Sequence, residues 1–286
     1  MNKKLLSIVL PVFNGLPYIN KSVDSILNQD FNDFNLIIVN DGSTDQTLSI
    51  LNNIQDPRVK ILNKKHTGII DSFNIALNYV DTKYVSRVDA DDYYYPSKID
   101  QQIKFLESSR DICLVGTGAH YMTIDGKVSR LRIKVPQNHN DIIHDIFNLK
   151  RGIIHSSIVI RTNIIKNLDG YAPDIYPEDY ELYFRVGNSC KFANIPTPLM
   201  AVRIHDSYTH LNVNQLIEGY CNLIQKYSKQ YDITLSLNNL KSNSKTVIIN
   251  RTAINNLLNG KPIRGLIKIF ISFLINPKRI INHLLS

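Results

Sequence analysis

Residues 5–120 alternate between short strand-like runs and amphipathic helical segments, and this alternation restricts the possible folds more than any other feature of the sequence. The strand-like runs are Leu5–Val12, Leu36–Val39, Val59–Leu62, Tyr84–Val88 and Ile112–Gly116. Strands that alternate with helices pair in parallel, because the helix carries the chain back to the starting edge of the sheet. The sequence therefore predicts an α/β fold with a Rossmann-like, mostly parallel sheet and helices on both faces.

The pattern changes after residue 118. Tyr121–Ile124 and Val128–Ile133 flank Asp125-Gly126, which predicts a hairpin with a type I′ turn. Leu199–Ile204 is the last strand-like run, and residues 212–286 have only helical patterns. We therefore expect a helical extension to follow the sheet.

Three aspartates, Asp89, Asp91 and Asp92, crowd the end of the apolar run Tyr84–Val88. Ligands of open α/β sheets bind at the carboxyl ends of strands. Residues i and i+2 of an extended segment share a face, so Asp89 and Asp91 can point into one site. Their repulsion calls for a compensating cation, and oxygen ligands suit Mg²⁺ or Mn²⁺ bound together with a substrate's phosphates. The alternative is a solvated acidic turn or a helix cap.

Polar residues also follow the first two strand-like runs, at Pro11–Gly15 and Asn40–Ser43. In a parallel sheet these segments and Asp89–Asp92 would surround one crevice. The sequence contains neither Gly-x-Gly-x-x-Gly nor Gly-Lys-Ser/Thr, which excludes the dinucleotide fingerprint and the P-loop. A bound phosphate would instead be neutralised by the metal and by Arg87 or Lys64.

Six motifs together resemble those of the family 2 glycosyltransferases, which have the GT-A fold. In chain order they are Ser7-Ile8-Val9-Leu10-Pro11-Val12-Phe13-Asn14, Val39-Asn40-Asp41-Gly42-Ser43-Thr44-Asp45, Ser86-Arg87-Val88-Asp89-Ala90-Asp91-Asp92, His155-Ser156-Ser157, Glu178-Asp179-Tyr180-Glu181-Leu182 and Arg203-Ile204-His205. The resemblance implies a GT-A domain over 1–211, with a nucleotide-binding half at 1–118 and an acceptor half at 119–211. Residues 212–286 lie outside it and form the helical extension.

The resemblance implies that the strand ends bind a nucleotide-sugar donor. Asp41 would accept hydrogen bonds from the nucleotide base, and Asp89, supported by Arg87, would bind the ribose or the diphosphate. Pro11 and Phe13 would shape the base pocket, and Lys64 would supply a positive charge. The expected donor-binding set is Pro11, Phe13, Asn14, Asp41, Lys64, Arg87 and Asp89.

The resemblance also implies a Mn²⁺ or Mg²⁺ site. Asp91, the last aspartate of the family's Asp-x-Asp motif, would bind the metal. His205 would complete the metal shell, or else be a hydrogen-bonded polar residue of no metal-binding role. Asp92 would join the metal site, or else cap the following turn.

On the acceptor side, the resemblance makes Asp179 the general base of an inverting transfer, which takes the proton of the acceptor hydroxyl. An acid in the first turn of a helix is also stabilised by the helix dipole, and both roles can hold together. Glu178 would position the substrate or bind locally. His155 and Ser156 would lie near the acceptor, or else form a polar loop that enters the strand Ser157–Ile160.

The function implied is a metal-dependent, inverting hexosyl- or N-acetylhexosaminyltransferase. It would move a sugar from a nucleotide-sugar, with a UDP-sugar expected, to a lipid-linked glycan in capsule or O-antigen biosynthesis. The absence of tryptophan removes the Gln-x-x-Arg-Trp motif of processive synthases, which favours one sugar per event. The alternatives are a sugar-nucleotide nucleotidyltransferase, whose Gly-rich N-terminal loop is missing, and an inactive membrane-associated binding protein, against which the retention of the four motif aspartates argues.

The net charge of +8 is concentrated behind the last acidic residue, Asp232, where eight basic residues and no acid follow. Arg264, Lys268 and Ser272 recur every fourth residue and form one narrow polar stripe on an otherwise apolar helix. A basic amphipathic segment of this kind favours contact of 262–286 with an anionic membrane surface, over packing on the protein's own core or a dimer contact. We expect no nucleic-acid partner.

Cys113, Cys190 and Cys221 are odd in number and far apart, which argues against a disulfide framework and favours a reducing compartment. No run reaches the roughly 18 apolar residues that a membrane span needs. The expected location is therefore cytoplasmic, peripheral on the inner face of the cell membrane.

Overall fold

The computed structural model describes residues 3–204, 213–231, 246, 249–250 and 253–275. Its strands form one sheet: β1 Leu6–Val12, β2 Phe34–Asn40, β3 Val59–Asn63, β4 Tyr84–Arg87, β5 Tyr93–Tyr94, β6 Ile112–Met122, β7 Val128–Ile133, β8 Val159–Arg161 and β9 Lys191–Arg203. The strand order is β3-β2-β1-β4-β8-β6-β9-β5, and β7 pairs with β6. The pairs β1–β2, β2–β3, β1–β4 and β6–β9 are parallel and make up most of the ladder, whereas short β8 runs antiparallel between β4 and β6. All five predicted strands are present, and the predicted α/β class is confirmed.

Helices cover both faces of the sheet. They are α1 Ile19–Leu27, α2 Thr47–Asn52, α3 Ile69–Leu77, α4 Lys98–Ser108, α5 His139–Phe147, α6 Thr162–Asn167, α7 Glu178–Gly187, α8 Val213–Ser228 and α9 Pro262–Ile275. Successive residues of β1 face opposite sides: Ile8 and Leu10 pack in the core with α1 and α4, and Val9 packs in the core with α3 and α7. A strand buried on both faces favours apolar residues throughout, and β1 is apolar except for Ser7, whose hydroxyl accepts a 2.9 Å hydrogen bond from Thr82.

The two described C-terminal helices are packed differently. The apolar side of α8, including Leu216, Ile224 and Tyr227, belongs to the same core as α7. In α9, Gly265 and Ser272 are buried, while five aliphatic side chains are exposed, those of Ile263, Leu266, Ile267, Ile271 and Ile275. No helix within the described ranges is both long and apolar enough to cross a membrane. The boundary drawn at residue 211 stays a prediction.

Cys113 in β6 and Cys190, next to β9, form a disulfide, with their Cα atoms 5.9 Å apart. The expectation that the cysteines are unpaired is therefore wrong. Their separation of 77 positions conceals their proximity in the sequence. They meet because β6 and β9 are parallel neighbours whose ladder begins at Ile112 opposite Lys191. Cys221 is the third cysteine, and it is buried in α8.

The predicted hairpin is present between β6 and β7, but its turn is not type I′. A type I′ turn needs positive φ at both central residues, and here Gly126 alone in the turn has it, with φ of 88°. The Gly126 N–H donates to the Thr123 carbonyl and the Thr123 N–H donates to the Lys127 carbonyl, which makes a wider loop.

Candidate active site

The carboxyl ends of β1, β2 and β4 lie side by side, because these three strands are adjacent and parallel. Each strand is followed by a polar segment, so the structure brings the three predicted groups of site residues to one edge of the sheet. Pro11 itself lies inside β1, opposite Val39 of β2, and is buried.

Asp41, directly after β2, is almost fully buried, and its carboxylate accepts three hydrogen bonds. Its carboxylate accepts from Lys64 Nζ, from the backbone N–H groups of Thr67 and Gly68 at 2.9 Å each, and lies 2.9 Å from His66 Nδ1. Burial alone would raise the pKa of Asp41, but the bonds from Lys64 and the two backbone groups outweigh it and hold the pKa below its ordinary value. Asp41 is thus an ionised anchor for residues 64–68.

Phe13 and His66 form an aromatic pair beside this anchor. Their rings stack with centroids 4.1 Å apart, and Phe13 remains 45% exposed. The pair presents an open aromatic surface at the strand ends, which suits stacking against another flat ring.

Asn14 ties the loop after β1 to the loop after β2. Its side-chain oxygen accepts from the backbone N–H groups of Thr44 at 2.8 Å and Asp45 at 3.3 Å, and its own N–H donates to Ser43 Oγ at 2.9 Å. Asn14 has a φ of 50°, a conformation that asparagine tolerates better than most residues. These bonds give Asn14 a role in shaping the loops of the site.

Arg87, at the end of β4, is buried between two carboxylates. Its Nη2 lies 3.3 Å from Asp89 Oδ1, and its Nη1 lies 3.6 Å from Glu178 Oε1. Burial by itself would lower the pKa of Arg87, but the nearby carboxylates raise it above its ordinary value. Burial raises the pKa of Asp89, against the opposing effect of Arg87. Asp89 and Glu178, the latter at the start of α7, therefore share one cation, Arg87.

Asp92 points away from this pair, into the protein. It accepts from the Ser156 hydroxyl and, at 3.1 Å, from the backbone N–H of Arg203. Burial, together with the charges of Asp91 and Asp89, raises the pKa of Asp92 well above its ordinary value. The backbone group that Asp92 binds belongs to β9, which differs from the expected capping of the following turn. The hydrogen bond to Asp92 makes Ser156 part of the packed layer behind residues Asp89–Asp92, the acidic loop.

Asp179 lies in the first turn of α7, half-buried, and its Oδ1 accepts the N–H of Tyr180 at 2.9 Å. Glu178, Asp179 and Glu181 all fall in this turn, as the helix dipole favours. Glu181 is separate from the site, since it is buried and bound by Arg185 through two 2.8 Å hydrogen bonds.

His155 is placed between two tyrosines. Its Nδ1 lies 2.6 Å from the Tyr183 hydroxyl and its Nε2 lies 2.8 Å from the Tyr171 hydroxyl. Burial lowers the pKa of His155 well below its ordinary value, and the positive charge of Arg87 adds to the effect. With both ring nitrogens bonded inside the protein, the arrangement favours the structural alternative for His155 over contact with an acceptor.

Comparison of the whole sequence with known protein families shows which family the chain belongs to. A family model described as "Glycosyl transferase family 2" matches residues 7–169, which is more than half of the chain. The chain belongs to glycosyl transferase family 2. It is therefore a glycosyltransferase, the enzyme class that its motifs predict, and the family assignment favours glycosyl transfer over the nucleotidyltransferase and inactive-protein alternatives.

Two curated relatives agree with this assignment. An uncharacterized glycosyltransferase of Haemophilus influenzae is 32% identical over 264 residues, which cover 86% of this chain and 78% of that protein. The O-antigen biosynthesis glycosyltransferase WbnJ of Escherichia coli is 30% identical over 254 residues, which cover 85% of this chain and 97% of that protein.

Two solved structures establish the fold. TarS 1–349 of S. aureus, in complex with UDP-GlcNAc, matches with a TM-score of 0.64 at 17% identity, over 96% of this chain and 82% of that one. The mannosyltransferase PcManGT of Pyrobaculum calidifontis, in complex with GDP-Man and Mn²⁺, matches with a TM-score of 0.59 at 14% identity, over 99% and 79%. These likenesses confirm the GT-A fold of this family 2 glycosyltransferase.

Arg203 is a site residue whose contacts the motif pattern did not predict. It is buried at the end of β9, where its Nε donates to the Asp91 carbonyl at 3.0 Å and its Nη1 donates to the Thr123 and Ile124 carbonyls. Its guanidinium also lies 4.3 Å from the centroid of the Tyr18 ring. Arg203 therefore holds the backbone of the acidic loop, a contact that its place in the motif Arg203-Ile204-His205 does not reveal.

Two buried side chains, Tyr94 and Lys98, contact the backbone next to the acidic loop. The Tyr94 hydroxyl lies within hydrogen-bonding distance of two carbonyl acceptors, that of Ser156 at 2.7 Å and that of Arg87 at 3.1 Å. Lys98, which is fully buried, donates to the Ser157 carbonyl at 3.0 Å and lies 3.8 Å from the Tyr94 ring centroid. In the sequence, a lysine at the start of an amphipathic helix cannot be told from a surface lysine. Nothing in the sequence therefore predicts the contacts of Lys98.

The predicted metal ligands are only partly within the described residues. Asp91 lies in the acidic loop, half-buried, whereas His205 lies outside the described ranges. Across the described positions, no three His, Cys, Asp or Glu side chains cluster closely enough to hold a metal by themselves.

Proposed function

We propose that this family 2 glycosyltransferase transfers one sugar per event, with inversion, from a nucleotide-sugar to a lipid-linked glycan. The observation that carries the proposal is the shared ion pair of Arg87, whose guanidinium lies between Asp89 and Glu178. Because Asp179 follows Glu178 directly, this pair brings a carboxylate on α7 next to the acidic loop at the end of β4. Leaving-group binding and acceptor activation would thereby meet at one place.

The donor would lie along the ends of β1, β2 and β4. The stacked rings of Phe13 and His66 would receive the base, above the segment that Asp41 and Lys64 hold in place. Arg87 supplies a positive charge for the phosphates, and its buried Nε has no hydrogen-bond partner among the described residues. Support for a nucleotide-sugar comes from the fold relatives, since TarS was solved with UDP-GlcNAc and PcManGT with GDP-Man. We propose a UDP-sugar.

The acidic loop fits Mn²⁺ or Mg²⁺, through Asp91 with Asp89. Both side chains offer only oxygen ligands, and the loop places three carboxylates, those of Asp89, Asp91 and Asp92, within four residues. Such ions bind with one or two protein carboxylates plus substrate phosphates, so a three-residue cluster is not required. When bound, the ion would supply Lewis-acid stabilisation of the charge on the departing diphosphate.

Asp179 would act as the general base. In an inverting transfer the acceptor hydroxyl loses its proton as its oxygen forms the bond to the anomeric carbon, and the nucleoside diphosphate departs from the opposite face. A half-buried carboxylate at the start of α7 can take that proton, and the helix dipole favours a negative charge at this position. Glu178 would hold Arg87 rather than contact the acceptor.

The acceptor would be presented at an anionic membrane surface on the cytoplasmic side. In α9 the aliphatic residues Ile263 and Leu266 are 74% and 60% exposed, and Ile267, Ile271 and Ile275 are exposed as well. Exposed Arg264 lies on the same helix, and the chain has no acid after Asp232. An apolar, basic helix face of this kind suits the lipid interface. The role of the E. coli relative in O-antigen biosynthesis supports a surface polysaccharide as the product.

A donor screen tests the proposal. The protein is incubated with UDP-, GDP- and dTDP-sugars, with Mn²⁺, with Mg²⁺ and with a chelator, and release of nucleoside diphosphate is followed. We expect release from a UDP-sugar that depends on the divalent ion and increases with a lipid-linked glycan, whose mass grows by one sugar residue. Release from GDP-sugars alone would overturn the donor, and full activity in chelator would overturn the metal.

A further inference from the structure

Two buried tyrosines and the half-buried His155 form a hydrogen-bonded chain across the interior of the site. Tyr183, on α7, bonds to His155 Nδ1 over 2.6 Å, and His155 Nε2 bonds to the Tyr171 hydroxyl over 2.8 Å. Tyr171 and Tyr183 are each 1% exposed. Nothing in the reaction described above uses this chain directly.

One end of the chain lies against the donor side of the site. The Arg87 guanidinium carbon is 5.7 Å from the centroid of the Tyr171 ring, and Arg87 is the residue that pairs with Asp89. The backbone of Tyr171 is fixed by Asn74 of α3, whose side-chain amide makes one 2.9 Å and one 2.8 Å hydrogen bond to it. Tyr171 therefore cannot shift without disturbing α3.

The other end lies on the acceptor side. Tyr183 is four residues after Asp179 on α7, so the two side chains lie on the same face of the helix, one turn apart. The charge of Asp179 contributes to the rise in the pKa of Tyr183, after the larger effect of burial. The chain thus starts one turn from the candidate base and ends at the arginine that holds the donor-side aspartate.

The imidazole at the centre must donate through one nitrogen and accept through the other. A neutral histidine has one N–H and one lone pair, and each tyrosine hydroxyl can serve either role. Burial with Arg87 nearby keeps His155 neutral at ordinary pH. Only a residue with a donor and an acceptor at similar spacing can replace it without leaving a buried hydroxyl unpaired.

We propose that His155 is a positioning residue, which through Tyr171 and Tyr183 fixes the first turn of α7 relative to Arg87 and Asp89. The inference rests on the proposed function, since it assumes that Asp179 and Asp89 face the two reactants. Transfer requires the reacting atoms about 3–3.5 Å apart, and a displacement near 1 Å can reduce the rate about 100-fold. A rigid connection between the two carboxylates would secure that spacing.

The test compares His155→Gln with His155→Leu. Glutamine keeps a donor and an acceptor, whereas leucine fills the space and bonds to neither tyrosine. We expect His155→Leu to lower kcat for transfer at least about tenfold, with the donor KM changed less than about threefold, and His155→Gln to recover most of kcat. Tyr183→Phe should lower kcat in the same way, and less than additively in combination with His155→Leu, because the two residues are in contact.

Exposed His144 on α5 is the matched control, and His144→Gln and His144→Leu should leave kcat unchanged. Activities are expressed per folded protein, from the amplitude of thermal unfolding, so that loss of folded material does not imitate a change in kcat. Equal kcat for the Gln and Leu variants, or a loss confined to the donor KM, would overturn the positioning role. Failure of the proposed function gives a different result, which is the absence of metal-dependent sugar transfer by the unmodified protein.

Discussion

Glu178 Oε1 lies 3.6 Å from Arg87 Nη1, and this contact joins the first turn of α7 to the end of β4 across 91 positions of sequence. Arg87 is buried, and its second contact is Asp89. One cation therefore connects the residue before the candidate base to the residue that would bind the donor.

Replacement of Arg87 by methionine should impair both folding and donor binding. The change leaves Asp89 and Glu178 without their shared cation, and removal of one partner of a buried pair typically costs about 3–5 kcal/mol of unfolding free energy. We expect the donor KM to rise at least tenfold, by about 1.4 kcal/mol or more in binding. Urea unfolding and donor titration measure the two effects. Arg110→Met, at an exposed position, is the control, and equal behaviour of the two variants would refute the shared-cation account.

Acidification should destabilise the protein partly through His155. Its pKa in the folded chain is well below the ordinary value of 6.5, so the unfolded chain binds more protons between those two values. The free energy of unfolding therefore rises with pH in that range, and this contribution is lost as pH falls below about 6.5, by at most about 1.4 kcal/mol for each pH unit.

Urea unfolding of the unmodified protein and of His155→Gln, between about pH 5 and pH 8, isolates this contribution. The variant should lose less stability on acidification, whereas His144→Gln should follow the unmodified protein. If the free energy of unfolding changed with pH in the same way for all three proteins, His155 would not be held neutral in the folded chain.

The exposed aliphatic residues of α9 should mediate binding to anionic vesicles. We expect Leu266→Gln/Ile267→Gln to abolish sedimentation with vesicles that contain phosphatidylglycerol, and Arg264→Gln to weaken it about fivefold, since a cation near such a surface contributes about 1 kcal/mol. Vesicles of phosphatidylcholine alone should bind weakly. Leu131→Gln is the control, because Leu131 is equally apolar, 56% exposed and placed on β7. A stable dimer in solution that depends on Leu266, without vesicle binding, would exclude the membrane.

The unfolded protein should contain one thiol before reduction and three after it. Cys113 and Cys190 have a Cα separation of 5.9 Å, within the range that a disulfide spans, and Cys221 is outside the pair. Alkylation in denaturant followed by mass measurement counts the thiols. Cys221→Ser should give none and then two. Three thiols in unreduced protein would show that the pair does not form.

The sequence predicts the parts of the site that depend on local pattern, and it does so for physical reasons. A strand buried on both faces requires an apolar run, so β1, β2 and β4 could be placed, and the polar residues behind them had to meet at one edge. Asp41, Arg87, Asp89 and Asp91 all lie where that argument put them.

Contacts between distant segments could not be predicted in this way. Arg203 reaches the Asp91 carbonyl across 112 residues, and His155 meets Tyr183 across 28, because tertiary packing and not periodicity decides these pairs. The pairing of Cys113 with Cys190 cannot be predicted from the sequence for the same reason. The burial of Lys98 has no sequence signal either, because buried and surface lysines occupy the same place in a helical pattern.

The most direct test of the central claim is the rate of Asp179→Asn against its affinity for donor. Asparagine keeps the shape of the side chain but cannot accept the acceptor's proton, so transfer should fall about 10²–10⁴-fold. Donor affinity, measured by calorimetry with the nucleoside diphosphate and Mn²⁺, should stay within about twofold, because Arg87 and Asp89 are untouched, and exposed Asp111→Asn should match the unmodified protein in both. Transfer by Asp179→Asn near the unmodified rate would contradict the account.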